Sequence, residues 1–326
     1  MLIRLLAAAA VAVSCAASAA PPSAAAPALP DGSTWLRHAT DDLLPYWLQP
    51  GALGAPMGRF PTFRCADGAA FDAAKPCPEL AHGPAWIRSE LGRDYVRMQS
   101  RQTFAYAVGF QLTGDPDLLA LARAGADDLR SRALDPATGS AATYRDRDGR
   151  LQPPVGERTA QDLAYAGLAL AAVFEVTRDA AVLDDLDRLH RHLMTYFDPA
   201  RGEMRWTLAG PERDRRELVA QLDPLNAYLV LVTPHLDGER ATRWRADMAR
   251  LVNTIRTLYC AGDAPRCRGT LDAGGDRAGA RHNDYGHSAK AFWMVLLAAR
   301  QLGDRDAAAW ATAKGHAVLA LSLIHI

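Results

Sequence analysis

The stretch Asp284-Tyr285-Gly286-His287-Ser288-Ala289-Lys290-Ala291-Phe292-Trp293-Met294-Val295-Leu296-Leu297-Ala298-Ala299-Arg300-Gln301-Leu302-Gly303-Asp304 has no polar residue between Ala291 and Ala299. A helix that is apolar all round is buried on every side. Only its first turn then meets solvent or substrate. That turn holds two ionisable side chains, His287 and Lys290, on one face. It also offers unpaired backbone N–H groups and the positive end of the helix dipole. A buried rod with a titratable tip builds a pocket floor. The same pattern also fits a structural histidine packed at a helix end.

The pattern recurs upstream. Arg101 and Gln102 precede an apolar run over 103–112, closed by Gly114-Asp115, and an amphipathic segment over 116–133 follows. Gln161 and Asp162 precede an apolar run over 163–176, closed by Arg178-Asp179, with amphipathic 180–196 behind it. Asn226 precedes 227–232, Asp237-Gly238 closes that run, and 240–258 is amphipathic. His287 and Lys290 open the fourth copy, and 306–319 is its partner. An amphipathic segment over 31–50, interrupted by Pro45, precedes them all. The units repeat roughly every 60–65 residues, as stacked helix pairs do. One helix of each pair must be surrounded and the other must face water. The predicted architecture is all-α, inner helices wrapped by outer ones in an α/α toroid, with an open α-solenoid as the alternative. Inner helices that run the same way bring Arg101, Gln102, Gln161, Asp162, Asn226, His287 and Lys290 to one mouth.

The chain has 326 residues, 49% of them apolar, and 37 basic residues balance 37 acidic ones. That is enough for one large domain or two small ones. The neutral balance argues against a nucleic-acid partner. Residues 1–19 read as an export signal, with Arg4, a short apolar run over 5–13 and Ala17-Ser18-Ala19 as the cleavage site. The run is too short to span a bilayer. Cys15 sits in a passable lipoprotein box, and its lipidation is the one membrane attachment the sequence offers. Residues 20–34 form a Pro/Ala-rich lead, and 35–320 the barrel domain. Residues 321–326 match the translation of a sequencing-adapter end, so the ring is expected to be incomplete at the C-terminus. An exported chain favours disulfides. The expected pairs are Cys65–Cys77 and Cys260–Cys267, with a four-thiolate metal site as the rival. His190 and His192, among Asp and Arg on an amphipathic helix, read as solvated. His235 and His316 read as structural.

Short motifs from about Trp35 to Leu302 resemble the N-acylglucosamine 2-epimerase superfamily, which includes cellobiose 2-epimerases and mannose isomerases. They are Leu44-Pro45-Tyr46-Trp47, Gly58-Arg59-Phe60-Pro61-Thr62-Phe63, Met98-Gln99-Ser100-Arg101-Gln102 and Tyr285-Gly286-His287 with Trp293 beyond. The resemblance implies an (α/α)6 barrel and a mono- or oligosaccharide ligand. It also implies chemistry without cofactor or metal, a proton moved beside a sugar carbonyl through an enediolate. In that reading His287 is the acid/base, Arg101 holds the carbonyl oxygen, and Trp293 is an apolar wall for the sugar. The chain departs from the family at four places. Lys290 stands where the family has Glu, Asn226 where it has His, Gln161 where it has Tyr, and Phe104 where it has Trp. The competing readings are a glycosidase or lyase on the same barrel, and a glycan-binding protein that has lost the chemistry. A hydrolase wants two pocket carboxylates, and Asp162 is the one inner-helix acid placed there.

Overall fold

The computed structural model describes residues 30–275 and 280–323. The expected signal over 1–19, Cys15, most of the lead and residues 324–326 lie outside the described residues.

Nine long helices run through the described residues. Helix α1 spans 32–47, α2 Val96–Thr113, α3 Pro116–Arg132, α4 Ala160–Thr177 and α5 Ala180–Met194. Helix α6 spans 218–232, α7 238–259, α8 Tyr285–Leu302 and α9 Arg305–Leu323. Helices α2, α4, α6 and α8 lie side by side in that order, and α3, α5, α7 and α9 back onto them. The all-α double layer expected from the repeat is present.

Burial follows position in the arc. Along α4, Leu163, Ala164, Ala166, Ala169, Leu170 and Ala171 have no exposed surface. Each fully buried leucine contributes roughly 1.5–3 kcal/mol. Helix α5 has one apolar face, with Val182, Leu186, Leu189 and Leu193 buried at helical spacing. Helix α8 departs from the expectation of burial on every side, because Trp293 is 58% exposed. The reason is geometric. Helices α4 and α6 each have an inner neighbour on both flanks, whereas α2 and α8 have one each.

The inner-to-outer connections are tight. Gly114 and Gly303 close α2 and α8 with φ of 73° and 74°, and Arg178 closes α4 with φ of 56°. This left-handed region favours glycine at a helix end. The aspartate that follows caps the outer helix. Asp115 accepts the Asp117 N–H and Asp179 the Ala181 N–H, and Asp304 accepts that of Ala307. The outer-to-inner connections are long and carry the small sheets, all antiparallel. Strand β1 (Asp94–Tyr95) pairs with β2 (Tyr144–Arg145), which pairs with β3 (Leu151–Gln152). Strand β4 (Phe197–Asp198) pairs with β5 (Glu203–Met204). These loops crown the end where the inner helices begin.

Two helices widen beside a proline. Pro224 lies inside α6 and cannot donate a backbone hydrogen bond. The next turn opens so that the Val230 N–H reaches the Leu225 carbonyl, five residues back. In α1 the Leu44 N–H reaches Ala39 in the same way, just before Pro45. The chain therefore continues through Pro45 without the expected break.

Both disulfides join the expected pairs, Cys65–Cys77 and Cys260–Cys267. This removes the four-thiolate alternative. His190 corrects the solvated reading, because it is wholly buried between Tyr228 and Asp247.

Candidate active site

The N-terminal parts of the four inner helices meet through an unbroken polar chain. Arg97 Nη2, at the start of α2, donates to Gln161 Oε1 at 2.7 Å and to Asp162 Oδ1 at 2.8 Å on α4. Gln161 Nε2 donates to Asp223 Oδ2 on α6 at 2.7 Å. Lys290 Nζ on α8 donates to Asp223 Oδ1 at 2.6 Å. Helix ends from nearly two hundred residues of sequence thus share one mouth. Asp162 is held from behind as well. Thr159 caps α4 by accepting the Asp162 N–H, and its hydroxyl donates to Asp162 Oδ2 at 2.8 Å.

Arg101 lies one turn deeper on α2, with its guanidinium carbon 4.3 Å from the Tyr165 ring centre. Arg97 lies over the same ring at 5.0 Å. A flat cation on an aromatic face is held without being neutralised. Arg101 forms no ion pair among the described residues, so its charge is available to a ligand.

His287 is fixed by its own helix cap. Asp284 Oδ1 accepts the His287 backbone N–H at 2.8 Å, and Asp284 Oδ2 lies 2.6 Å from His287 Nδ1. Burial pushes the Asp284 carboxyl up, but the two bonds from His287 outweigh it and hold the carboxyl below its ordinary value. An ionised Asp284 accepts from Nδ1–H, which leaves Nε2 as the basic nitrogen. The His287 ring also touches the ring of His282, centroid to centroid 4.7 Å.

Beside Lys290 opens an apolar groove of about 510 Å³, lined by Asn226, Phe292, Trp293, Leu296 and Leu319 among others. Lys290, Asn226 and Trp293 thus share one cavity, with Lys290 linking the groove to the polar chain. Phe104 is partly buried against the core one turn past Arg101. Gln102 is not brought to the mouth. It is 5% exposed and donates to the Ala52 carbonyl and the Tyr106 hydroxyl. It neighbours Arg101 in sequence, so it points about 100° around the helix, toward the wall. Gln161 and Asp162 reach the mouth with their polar atoms already engaged. Among the described residues the one cluster with metal-ligand spacing is Cys65, Cys77 and Glu79, and both its cysteines are in a disulfide.

The sequence reading passed over Arg97, Asp223 and Glu217 as site residues, and His282 reads there only as a weak metal ligand beside His287. Arg97 and Arg101 are four apart, a same-face spacing that was there to be read. Asp223 lies one turn before Asn226.

No family model and no curated protein matches the sequence. Solved structures do. A D-mannose isomerase aligns with a TM-score of 0.68 at 14% identity, over 88% of this chain and 68% of its own. Cellobiose 2-epimerase from Spirochaeta thermophila DSM 6192 aligns at 0.66 and 17% identity, over 88% and 67%. The chain has the cellobiose 2-epimerase fold. A sugar epimerase from a ruminal bacterium shares this fold at a TM-score of 0.62 and 16% identity, over 87% of this chain and 70% of its own. This chain matches 67–70% of the length of each of these three structures.

Proposed function

We propose that the chain is an exported sugar 2-epimerase or aldose–ketose isomerase whose proton-transfer group is His287. The observation that carries this is the polar chain Arg97–Gln161–Asp223–Lys290, which ties the N-terminal parts of four inner helices together, with His287 one turn before Lys290 on α8. Carbon 2 of an open-chain aldose is acidified by the neighbouring aldehyde. His287, neutral at Nε2, takes that proton and leaves an enediolate. Arg101 faces the oxygen that gains charge, and fixed positive groups there lower the barrier. The imidazolium then returns the proton, to carbon 2 or to carbon 1. Asn226 and Trp293 contact the rest of the sugar along the groove. Lys290 stays with Asp223 and organises the mouth. Export is supported by the two disulfides and by the Arg4-led apolar run. Among the described residues no helix is long and apolar enough to cross a membrane.

The test is incubation of the chain with aldoses in deuterated water, followed by NMR. Deuterium entering at carbon 2 or carbon 1, and lost in His287→Gln, is the expected result. Binding without exchange would make the protein a glycan receptor, and bond cleavage would make it a lyase or hydrolase.

A further inference from the structure

We infer that His282, backed by the buried carboxylate of Glu217, is a second proton-transfer group, and that the His282–His287 pair commits the site to aldose–ketose isomerisation rather than 2-epimerisation. This rests on the sugar-isomerising reading above and narrows it.

His282 lies in the segment that leads into α8. Its backbone has φ of 56°, a left-handed conformation rare for a residue with a side chain. Such outliers persist where the surroundings enforce them. Gly269 supplies part of that enforcement, since a Cβ there would collide with the Arg281 carbonyl. The loop is thereby seated with the imidazole between two groups. On one side is Glu217, which is 1% exposed. Glu217 Oε1 accepts from Arg215 at 2.6 Å, and Arg281 stands 3.8 Å away. Glu217 Oε2 accepts no hydrogen bond among the described residues, and His282 Nδ1 stands 3.5 Å from it. A buried carboxylate oxygen with no donor is costly, and the His282 ring is the group placed to share a proton with it. On the other side is the His287 ring, tilted by 55°. Among the described residues, Asp284 meets His287 Nδ1 and, one turn along, Lys290 pairs with Asp223.

The two rings are in contact, and that decides the stereochemistry. Groups that flank a reacting carbon from opposite faces need roughly 6–7 Å between them, about 3–3.5 Å to each side. With centroids 4.7 Å apart, no sugar carbon fits between these rings. They address a substrate from one side. Moving a proton from carbon 2 to carbon 1 on one face is isomerisation, whereas 2-epimerisation returns it to the opposite face of carbon 2.

The cycle closes without any other reagent. His287 Nε2 takes the carbon 2 proton, the C–H electrons form the C1=C2 bond, and the carbonyl π pair moves to O1. The His282 imidazolium gives O1 its proton, which yields a cis-enediol. His282 then takes the O2 proton, C2=O2 forms, and carbon 1 recovers a proton from the His287 imidazolium. Both rings end as they began.

The experiment uses the full chain with 2-deuterated glucose, mannose and cellobiose, and follows products by NMR. The expected product is the ketose, with part of the label now at carbon 1. His282→Gln is expected to lower ketose formation about 100-fold, with KM within threefold and label loss at carbon 2 continuing through His287. Glu217→Gln is expected to lower kcat about 10-fold in the same direction. A 2-epimer as the wild-type product overturns the inference. So does His282→Gln or His282→Asn forming ketose at the wild-type rate. In both cases the reading of His287 as the proton-transfer group of a sugar epimerase or isomerase stands, provided His287→Gln is inactive. Label loss that survives in His287→Gln, or no reaction in the wild type, overturns both readings together.

Discussion

Lys290 Nζ stands 2.6 Å from Asp223 Oδ1, and Asp223 has no exposed surface. The carboxylate receives one donor from Gln161 and one from Lys290, each from a different inner helix. Two segments 67 residues apart are therefore held by one buried ion pair.

Removing Lys290 leaves the buried Asp223 carboxylate without a counter-charge and with Gln161 as its remaining donor among the described residues. Lys290→Ala is expected to lower the unfolding free energy by about 3–5 kcal/mol. Replacing both partners, Asp223→Asn with Lys290→Met, is expected to recover most of that loss. Urea unfolding of the two single variants and the double variant measures the coupling. Additive losses would mean that the pair contributes nothing as a pair.

Arg101 is the opposite case. It is exposed, stacked on Tyr165, and outside any ion pair among the described residues. Its stacking is worth about 0.5–1 kcal/mol, so Arg101→Met is expected to melt within a few degrees of wild type. The same change should cut deuterium incorporation from solvent into aldoses by about 100- to 1000-fold if the guanidinium faces the oxyanion. A stable variant with full exchange activity would remove Arg101 from the site.

The ring was legible because its signal is long-range and redundant. Four apolar runs repeat at one spacing, and three of them are closed by a left-handed residue and a capping aspartate. The residues of the mouth were harder to read. The polar pair before an apolar run reads as the helix tip, but α2 begins at Val96 and α6 at Leu218. The residues that join the helix ends are Arg97 and Asp223, one turn before Arg101 and Asn226. The buried polar residues of α5 were illegible for another reason. Asp187 pairs with Arg243 and His190 with Asp247, partners 56 and 57 residues away. That is close to the repeat spacing, so these bonds join neighbouring units. A charge that finds its partner one unit on looks, in a single helix, like a charge in water.

His190 gives a direct measure of that difference. Its Nδ1 lies 2.9 Å from the Tyr228 hydroxyl, its Nε2 lies 3.0 Å from Asp247 Oδ2, and its ring lies on Trp244. Burial holds the Tyr228 hydroxyl well above its ordinary titration range, so it remains a donor. Tyr228→Phe strands a buried imidazole nitrogen and is expected to cost about 1–3 kcal/mol. A solvated His190 would predict almost no change in the same denaturation experiment.

The pH dependence of stability should carry two separable windows. Burial, and then the neighbouring Arg158 guanidinium, holds the His192 imidazole below its ordinary value of 6.5. The unfolded chain therefore binds a proton near pH 6.5 that the folded chain still refuses. Stability is full above that value and falls as the pH drops toward the folded pKa. Burial pushes the Asp187 carboxyl up, but hydrogen bonds from the Trp244 indole and Arg243 overcome it and hold it below 3.8. Its contribution is present above 3.8 and is lost only as the pH falls through the lower folded value. His192→Leu is thus expected to flatten the stability curve below pH 6.5 and leave the acid limb in place, whereas Asp187→Asn should change the acid limb. Urea midpoints from pH 7.5 down to 3 separate the two. Parallel curves for wild type and His192→Leu would mean that this imidazole titrates as it does in water.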